Sequence, residues 1–413
     1  FPAHWILPMD APAIAYGFVA MQSSSSGCTI HSVGKLADLP NAVQERAINT
    51  LDEHPETLII TPGLINTHTH LELSFPEAVP IQHGQETMSD WLSKVTALKL
   101  ASPDNRPRCE SGLQHMIQTG TTCINDISCD GTSPSAVDAV GLRAVIAYEF
   151  FHPGWETLDI DYWAGEYEKT FRALDTHPLI RPALSPHALY NVSPRAWKAM
   201  VERCQPWLVH SHIAESLDEH NWCLQKPNQL DALHQTIMGK TFTPENHSTA
   251  TPLDYLDMFD LWHERLVLAH GVYTTARERE KMKANGAALT HCPRSNLFLQ
   301  QDTLNWNEWD VSGATVSLGT DSTLSNDDLD LRAEARYAIA HHGWSAEEAL
   351  QRLTRHAART LSLDDIIGTL TPHKAADIVI WNSPPSTLQN PYEITLAPTT
   401  TAQSVFVTGQ QLL

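Results

Sequence analysis

Basic residues are scarce in this chain. Across 413 residues, 27 Lys and Arg face 48 Asp and Glu, a formal charge of −21 with histidine neutral. That balance excludes a dedicated nucleic-acid binder, because such proteins neutralise phosphates with basic patches. Paired cysteines are missing too. The seven thiols, Cys28, Cys109, Cys123, Cys129, Cys204, Cys223 and Cys292, contain no CxxC pair. This excludes a zinc ribbon and a disulfide framework, and it predicts reduced thiols in a cytoplasmic protein. No run reaches the roughly 18 uninterrupted apolar residues of a membrane span, and no solenoid-length repeat is present. The apolar first 22 residues are broken by Pro2, Pro8, Asp10 and Pro12 and precede the first basic residue, Lys35. A secretory signal needs a basic region ahead of its apolar run, so none is expected here. The hydrophobic fraction of 42% against 18% charged excludes the disordered class and can fill a large core.

What is abundant is histidine, 22 residues, where on the order of 2–3% is ordinary for a soluble chain. Their placement depends on the architecture. From Thr61 to about Leu361, short apolar and β-branched runs alternate with helical patterns. The runs are PGLIN, TTCINDI, LRAVIAYEF, LIRPALS, PWLVHSHIA, RLVLAH, AALTHC and ATVSLGT; the helical stretches include MSDWLSKVTALKL, SPRAWKAMVERC, TAREREKMKANG and SAEEALQRLTRHAARTL, the last capped by Ser345. Eight strands alternating with helices point to an α/β fold, a (β/α)₈ TIM barrel over residues 61–361. Residues 1–60 and 362–413 read instead as short strands and turns. Two separate β modules of about 50 residues would be marginal, so one small β-sandwich built from both termini is expected beside the barrel. The polar stretch from Asn221 to Pro252 reads as a lid or a surface excursion.

In such a barrel, the C-terminal ends of the strands face the active site. PGLIN runs into Thr67-His68-Thr69-His70, and residues two apart on an extended chain point the same way, so His68 and His70 face one site. Further strand-end groups are His187, His212, His270 and Asp321. Neutral imidazoles suit Zn²⁺ or Fe²⁺, and three histidines with one carboxylate leave room for water. The expected ligands of one divalent metal are therefore His68, His70, His212 and Asp321. Glu215, three residues past His212, is the general acid/base candidate. His187 and His270 are expected to polarise the water or hold substrate.

PGLINTHTHLELS, SPHALYNVS, HSHIAES, HGVY with CPRSN, and GTDSTLSNDDLDL together resemble the amidohydrolase superfamily, in its branch of mononuclear nucleobase and nucleoside deaminases and chlorohydrolases. The resemblance covers essentially the whole chain. It implies that His68, His70, His212 and Asp321 bind one metal, that Glu215 and His270 serve catalysis, and that Asp321 also acts as a base. The binuclear branches bridge two metals through a strand-four lysine; LIRPALSPHALY contains none, so one metal is expected. DWLSKV, TPLDYLDMFDLW and THCPRSN are most similar to the aminodeoxyfutalosine deaminase-like subgroup. This implies deamination of 6-aminodeoxyfutalosine in menaquinone biosynthesis, with a methylthioadenosine/S-adenosylhomocysteine-type deaminase, or a chlorohydrolase or cyclic amide hydrolase, as alternatives. A benzoate-bearing substrate needs a carboxylate partner, for which Arg294 is the candidate; Arg294 could equally partner an Asp behind the site. Glu72 is expected to orient a ligand or touch substrate. The expected partner is a small molecule, with no membrane or nucleic acid, and a homodimer is an assembly open to the chain. Trp5, Trp91 and Trp163 line the mouth or fill interfaces. His115, His177, His234, His263, His341, His342 and His356 read as solvated or hydrogen-bonded, and His291 as a packed barrel residue.

Overall fold

The structure is a computed structural model and describes residues 1–25, 27–75, 88–101, 104–151, 160–238, 250–299, 302 and 304–413. Its strands in chain order are β1 (Pro2–Ile6), β2 (Ile14–Ser24), β3 (Gly27–Lys35), β4 (Thr57–Pro62), β5 (Leu64–Thr69), β6 (Thr121–Ser128), β7 (Arg143–Phe150) and β8 (Ile180–Pro186). They continue as β9 (Val209–Ile213), β10 (Leu266–His270), β11 (Ala288–His291), β12 (Val316–Leu318), β13 (Ile378–Ser383), β14 (Thr401–Val407) and β15 (Gln410–Gln411).

Strands β5 to β12 form an eight-stranded sheet in sequential order, each strand paired parallel with its neighbour. The ring draws shut where Thr69 bridges Asp321 and where the amides of Thr320 and Asp321 donate to the His68 carbonyl at 3.2 and 3.1 Å. This is the (β/α)₈ barrel, and each of the eight expected runs falls on one of its strands. The reason is burial on both faces. Every residue of β6 and β7 is buried, the condition under which parallel strands become continuous apolar runs instead of alternating ones. At the seam between β5 and β12, Gly319 permits the approach: a Cβ there would stand 2.8 Å from His68 Cβ and 2.9 Å from its backbone nitrogen.

Both termini combine into one seven-stranded sheet, order β15-β14-β13-β4-β1-β2-β3. The two ends of the chain meet where β13 pairs antiparallel with β4, from Ile378 opposite Pro62 to Ser383 opposite Thr57. Bulges interrupt the ladder at Ala20/Met21 and Ile380/Trp381. Ile6, Val19, Ile30, Ile60, Ile378 and Phe406 are among the apolar residues that build its core. The helix Asn41–Asp52 was not expected, since that region reads as strands and turns. It buries only Leu51, so the apolar period that announces a helix is weak. Sheet and barrel are tied by a buried bidentate pair: Arg143, at the start of β7, donates to Asp377, just before β13, at 2.7 and 3.1 Å.

The stretch expected as one helix from Ser345 to Leu361 is broken into Ala346–Arg352 and Arg355–Thr360. The Leu353 carbonyl accepts from the Ile65 amide of β5 at 2.8 Å, so a contact with the barrel replaces the next helical bond. Of the stretch from Asn221 to Pro252, residues 239–249 lie outside the described residues. Among the described residues, no helix is long and apolar enough to cross a membrane.

Candidate active site

The ends of β5, β9, β10 and β12 bring five expected side chains together. His68, His70 and Asp321 present ligand atoms within 4.8 Å of one another, as do His68, His212 and His270. His70 Nε2 lies 3.2 Å from His212 Nε2, and Asp321 Oδ1 lies 3.7 Å from His70 Nε2 and 3.8 Å from His68 Nε2. Ligands at ~2.1 Å around a tetrahedral ion stand about 3.4 Å apart, so these separations fit one metal between them.

The hydrogen bonds behind the ring agree with that use. His212 Nδ1 faces the His187 carbonyl at 2.9 Å and must carry the proton, because a carbonyl can only accept. Its Nε2 therefore turns a lone pair inward. The Ser295 and Ser325 hydroxyls donate to Asp321 Oδ2 at 2.7 and 2.8 Å, leaving Oδ1 for the site. Both ring nitrogens of fully buried His68 lack a hydrogen-bond partner. An imidazole buried without partners costs free energy unless something outside the chain satisfies it. Backbone strain marks the same positions: Ala214, His270 and Asp321 have φ of 54°, 72° and 60°, a region unfavourable to side chains and often retained at functional sites.

Electrostatics sort the ring into roles. Burial pushes His70 down to about 4 against the pull of Asp321 and Glu149, and it holds His68 well below the usual imidazole range. Both rings are thus neutral near pH 7. Burial opposes ionisation of Asp321, yet His70, His270 and the two serine hydroxyls keep it below the ordinary carboxylate range. Glu215 behaves oppositely. Burial, reinforced by Asp321 and opposed by His212, raises it to about 7. Two carboxyls facing one site with pKa values driven apart are the pattern of a base and an acid. Glu215 Oε1 lies 3.5 Å from His270 Nε2, and its amide donates to Glu219 Oε2 at 3.0 Å, which fixes the turn after β9.

His187, at the end of β8, lies against the ring, its centroid 4.7 Å from that of His212. Asn191 holds it: Asn191 Oδ1 accepts from the Ala188 amide at 3.1 Å, while Nδ2 reaches His187 Nδ1 at 2.8 Å. Above the ring opens a cavity of about 390 Å³ whose lining includes His70, His187, His212, Glu215, His270 and Asp321, with Leu73, Met88, Trp91, Leu92, Val95, Phe151 and Leu233 as its apolar wall. Trp91 is thus a mouth residue, its indole donating to the Leu324 carbonyl at 3.0 Å, whereas Trp163 packs beside Tyr148 and Phe150. His234, expected to be ordinary, also lines the cavity.

Two expected substrate contacts stand elsewhere. Arg294 is absent from the lining and donates to Asp328 at 2.7 Å, Asp327 at 3.3 Å and Glu334 at 3.4 Å. Of its two readings, the structure places it with carboxylates behind the site. Glu72 is buried below the pocket, accepting from Ser128 Oγ at 2.6 Å and the Cys129 amide at 3.1 Å; burial and nearby Asp130 raise it to about 8.

A pair missed in the sequence lines the pocket instead. Glu149, in β7, accepts from Cys129 Sγ at 2.9 Å, and Lys99 Nζ donates to the same sulfur at 3.2 Å. Burial opposes ionisation of Glu149, but His187, His70, His212 and Lys99 hold it at about 2. Its signal was available: a carboxylate inside the otherwise apolar run AVIAYEF has no reason to be there unless the strand end faces a site. Lys99, on the helix Met88–Ala101, had none, being one polar residue on a helix.

Known proteins with this sequence pattern and fold lead to the family. The model of the Amidohydrolase family matches residues 59–412. The chain is 30% identical over 340 residues to a 5'-deoxyadenosine deaminase of Methanoregula boonei, covering 77% of this chain and 70% of that protein. In three dimensions it resembles Helicobacter pylori aminofutalosine deaminase in complex with methylthio-coformycin, with a TM-score of 0.84, 20% identity and coverage of 100% and 99%. It also resembles the zinc-complexed atrazine chlorohydrolase of Arthrobacter aurescens, with a TM-score of 0.79, 22% identity and coverage of 100% and 94%. The ring of histidines closed by an aspartate, at the strand ends of a near-closed barrel, is thus found on a chain that belongs to the amidohydrolase family, a hydrolase of carbon–nitrogen bonds.

Proposed function

We propose that this protein is a metal-dependent hydrolytic deaminase of an aminated purine nucleoside, with 6-aminodeoxyfutalosine as the first candidate substrate. The observation that carries this reading is the opposition of Glu215, raised to about 7, and Asp321, held ionised, across one donor ring. His68, His70, His212 and Asp321 would hold a divalent cation, Zn²⁺ first, which would supply Lewis-acid activation of water toward a pKa of about 7. Asp321 Oδ1 takes a proton from the attacking water. Glu215 gives its proton to the ring nitrogen beside the aminated carbon, which makes that carbon electrophilic. His270, with its Nδ1 proton engaged by Asn296 at 2.9 Å, turns Nε2 to the site and accepts a hydrogen bond from the water. The C–O bond forms; Asp321 then passes its proton to the amino group, the hydroxyl proton of the intermediate returns to Glu215, the C–N bond breaks and ammonia leaves.

The substrate class rests on the cavity. A volume of about 390 Å³ with an apolar wall lies within the roughly 300–1,000 Å³ that organic ligands occupy. Trp91 and Phe151 offer flat surfaces to a purine or a benzoate ring. Among the described residues lining the cavity, Lys99 is the lysine or arginine present, and it takes the carboxylate role once given to Arg294.

Ammonia release tests the reading. Protein loaded with one equivalent of Zn²⁺ is assayed with 6-aminodeoxyfutalosine, methylthioadenosine, S-adenosylhomocysteine and 5'-deoxyadenosine. Turnover of 6-aminodeoxyfutalosine with the highest kcat/KM is expected. Preference for another nucleoside overturns the substrate assignment, and no ammonia from any of them overturns the deaminase.

A further inference from the structure

On the cavity wall a thiol stands between two groups of opposite charge. Lys99 Nζ, on the helix Met88–Ala101, donates to Cys129 Sγ at 3.2 Å, and Cys129 Sγ donates to Glu149 Oε2 at 2.9 Å. An ammonium only donates and an ionised carboxylate only accepts, so the sulfur must accept from the lysine and give its own S–H to the glutamate. Neither bond can be reversed. The charge states agree: Glu149 is held at about 2, and burial together with the Glu149 charge pushes the Cys129 thiol well above its ordinary range. Burial opposes the Lys99 charge, yet Cys129, Glu149 and Glu72 raise it above the usual lysine value. The sulfur is itself anchored from beneath. Cys129 directly follows β6; its amide donates to Glu72 Oε2 at 3.1 Å, and the Ser128 hydroxyl donates to Glu72 Oε1 at 2.6 Å.

What the thiol does for the lysine follows from how weakly sulfur accepts. An ammonium carries three N–H donors, and Lys99 gives one of them to Cys129. Two are left for a ligand. A carboxylate in place of that sulfur, or a direct ion pair with Glu149, would neutralise the ammonium in a strong charge-assisted bond. A thiol orients the ammonium and leaves its charge available. Lys99 and Glu149 both line the cavity, while Cys129 stands behind them, outside the lining. We infer that Cys129 is a positioning residue: it fixes the Lys99 ammonium on the cavity wall, apart from Glu149, and so makes Lys99 the group that selects nucleosides carrying a carboxylate over those without one. The positioning stands on the hydrogen bonds; the selection rests on the carboxylate role proposed above for Lys99.

Two measurements on the zinc-loaded protein test this. The first is the infrared S–H stretch of Cys129, isolated as the difference between wild type and Cys129→Ser. An S–H that donates to a carboxylate stretches at lower frequency than a free thiol, so the band should lie low in the wild type and move up in Glu149→Gln. The second is the ratio of kcat/KM for 6-aminodeoxyfutalosine to that for 5'-deoxyadenosine, which lacks the carboxylate. Lys99→Met should lower that ratio roughly 10–100-fold, as expected for a lost hydrogen bond to a charged group, and Cys129→Ala about 2–10-fold. Cys129→Ser, which keeps a donor and an acceptor, should restore most of it. A thiol that only filled space would affect both substrates alike and leave the ratio unchanged. A Cys129 band at the free-thiol frequency would overturn the inference, as would a ratio that falls in Lys99→Met but keeps its wild-type value in Cys129→Ala. A ratio unchanged in both overturns the carboxylate role of Lys99 and the selection with it. Absence of ammonia from either nucleoside overturns the deaminase reading instead, and the band then judges the bridge alone. Should Cys129→Ala not fold, Cys129→Val, which fills the space with neither donor nor acceptor, takes its place.

Discussion

Two buried polar clusters in this molecule are built on opposite principles. At the junction of barrel and terminal sheet, Arg143 and Asp377 are almost fully buried, and their mutual bonds at 2.7 and 3.1 Å are joined by the Thr408 amide on Asp377 at 2.8 Å. The chain itself satisfies these groups. At the other end of the barrel strands, both ring nitrogens of His68 and the Nε2 of His270 are without a hydrogen-bond partner. Leaving such groups unpaired costs on the order of 1–3 kcal/mol each. A stability-driven design would remove them; here His68 and His270 present ring nitrogens within 4.8 Å of each other and of His212. Unpartnered buried atoms occur elsewhere too, on His210 and Trp197 for example; what sets the ring apart is that ligand atoms of His68, His212 and His270 lie within 4.8 Å of one another.

Substitutions should separate the two clusters cleanly. Glu215→Gln keeps the shape of the acid but not its proton transfer, and ammonia release should fall about 10²–10⁴-fold with the melting temperature little changed. The pH dependence has a definite sign. A carboxyl raised to about 7 keeps its proton below that value and loses it above, and a bound cation nearby pulls the value lower. The basic limb of kcat/KM should thus lie at or below about pH 7, and a wild-type limb far above it would remove Glu215 as the acid. Arg143→Met strands Asp377 and should cost roughly 3–5 kcal/mol of stability, seen as a lowered denaturation midpoint, with the folded fraction keeping full activity. Arg294→Gln breaks contacts with Asp328 and Glu334 and should lower stability by about 1–3 kcal/mol; a large rise in KM instead would restore Arg294 to the substrate. The exposed pair Arg106–Glu110 marks the small end, where Arg106→Ala should change stability by less than about 1 kcal/mol.

The same contrast explains what could be read in the sequence. Barrel strands were legible because they are buried on both faces, and the proposed ligands because two-residue periodicity and strand ends give each a fixed direction. His68, His70, His212 and Asp321 needed only that rule. Contacts across the fold were not legible. Arg294 as a substrate clamp was plausible chemistry, but the partners that claim it, Asp327, Asp328 and Glu334, lie 33 to 40 residues away. The break at Leu353 depends on the amide of Ile65, which no local pattern reveals. The helix Asn41–Asp52 failed for the opposite reason, because a helix that buries little leaves little apolar signature.

The claim that the unpartnered ring is a metal centre can be tested most directly by titrating metal-stripped protein with Zn²⁺ while following bound metal, melting temperature and ammonia release together. One Zn²⁺ per chain should raise all three with a common endpoint, and His212→Ala should abolish the stoichiometric step. Full deaminase activity in stripped protein, or stoichiometric binding that survives His212→Ala unchanged, would contradict it.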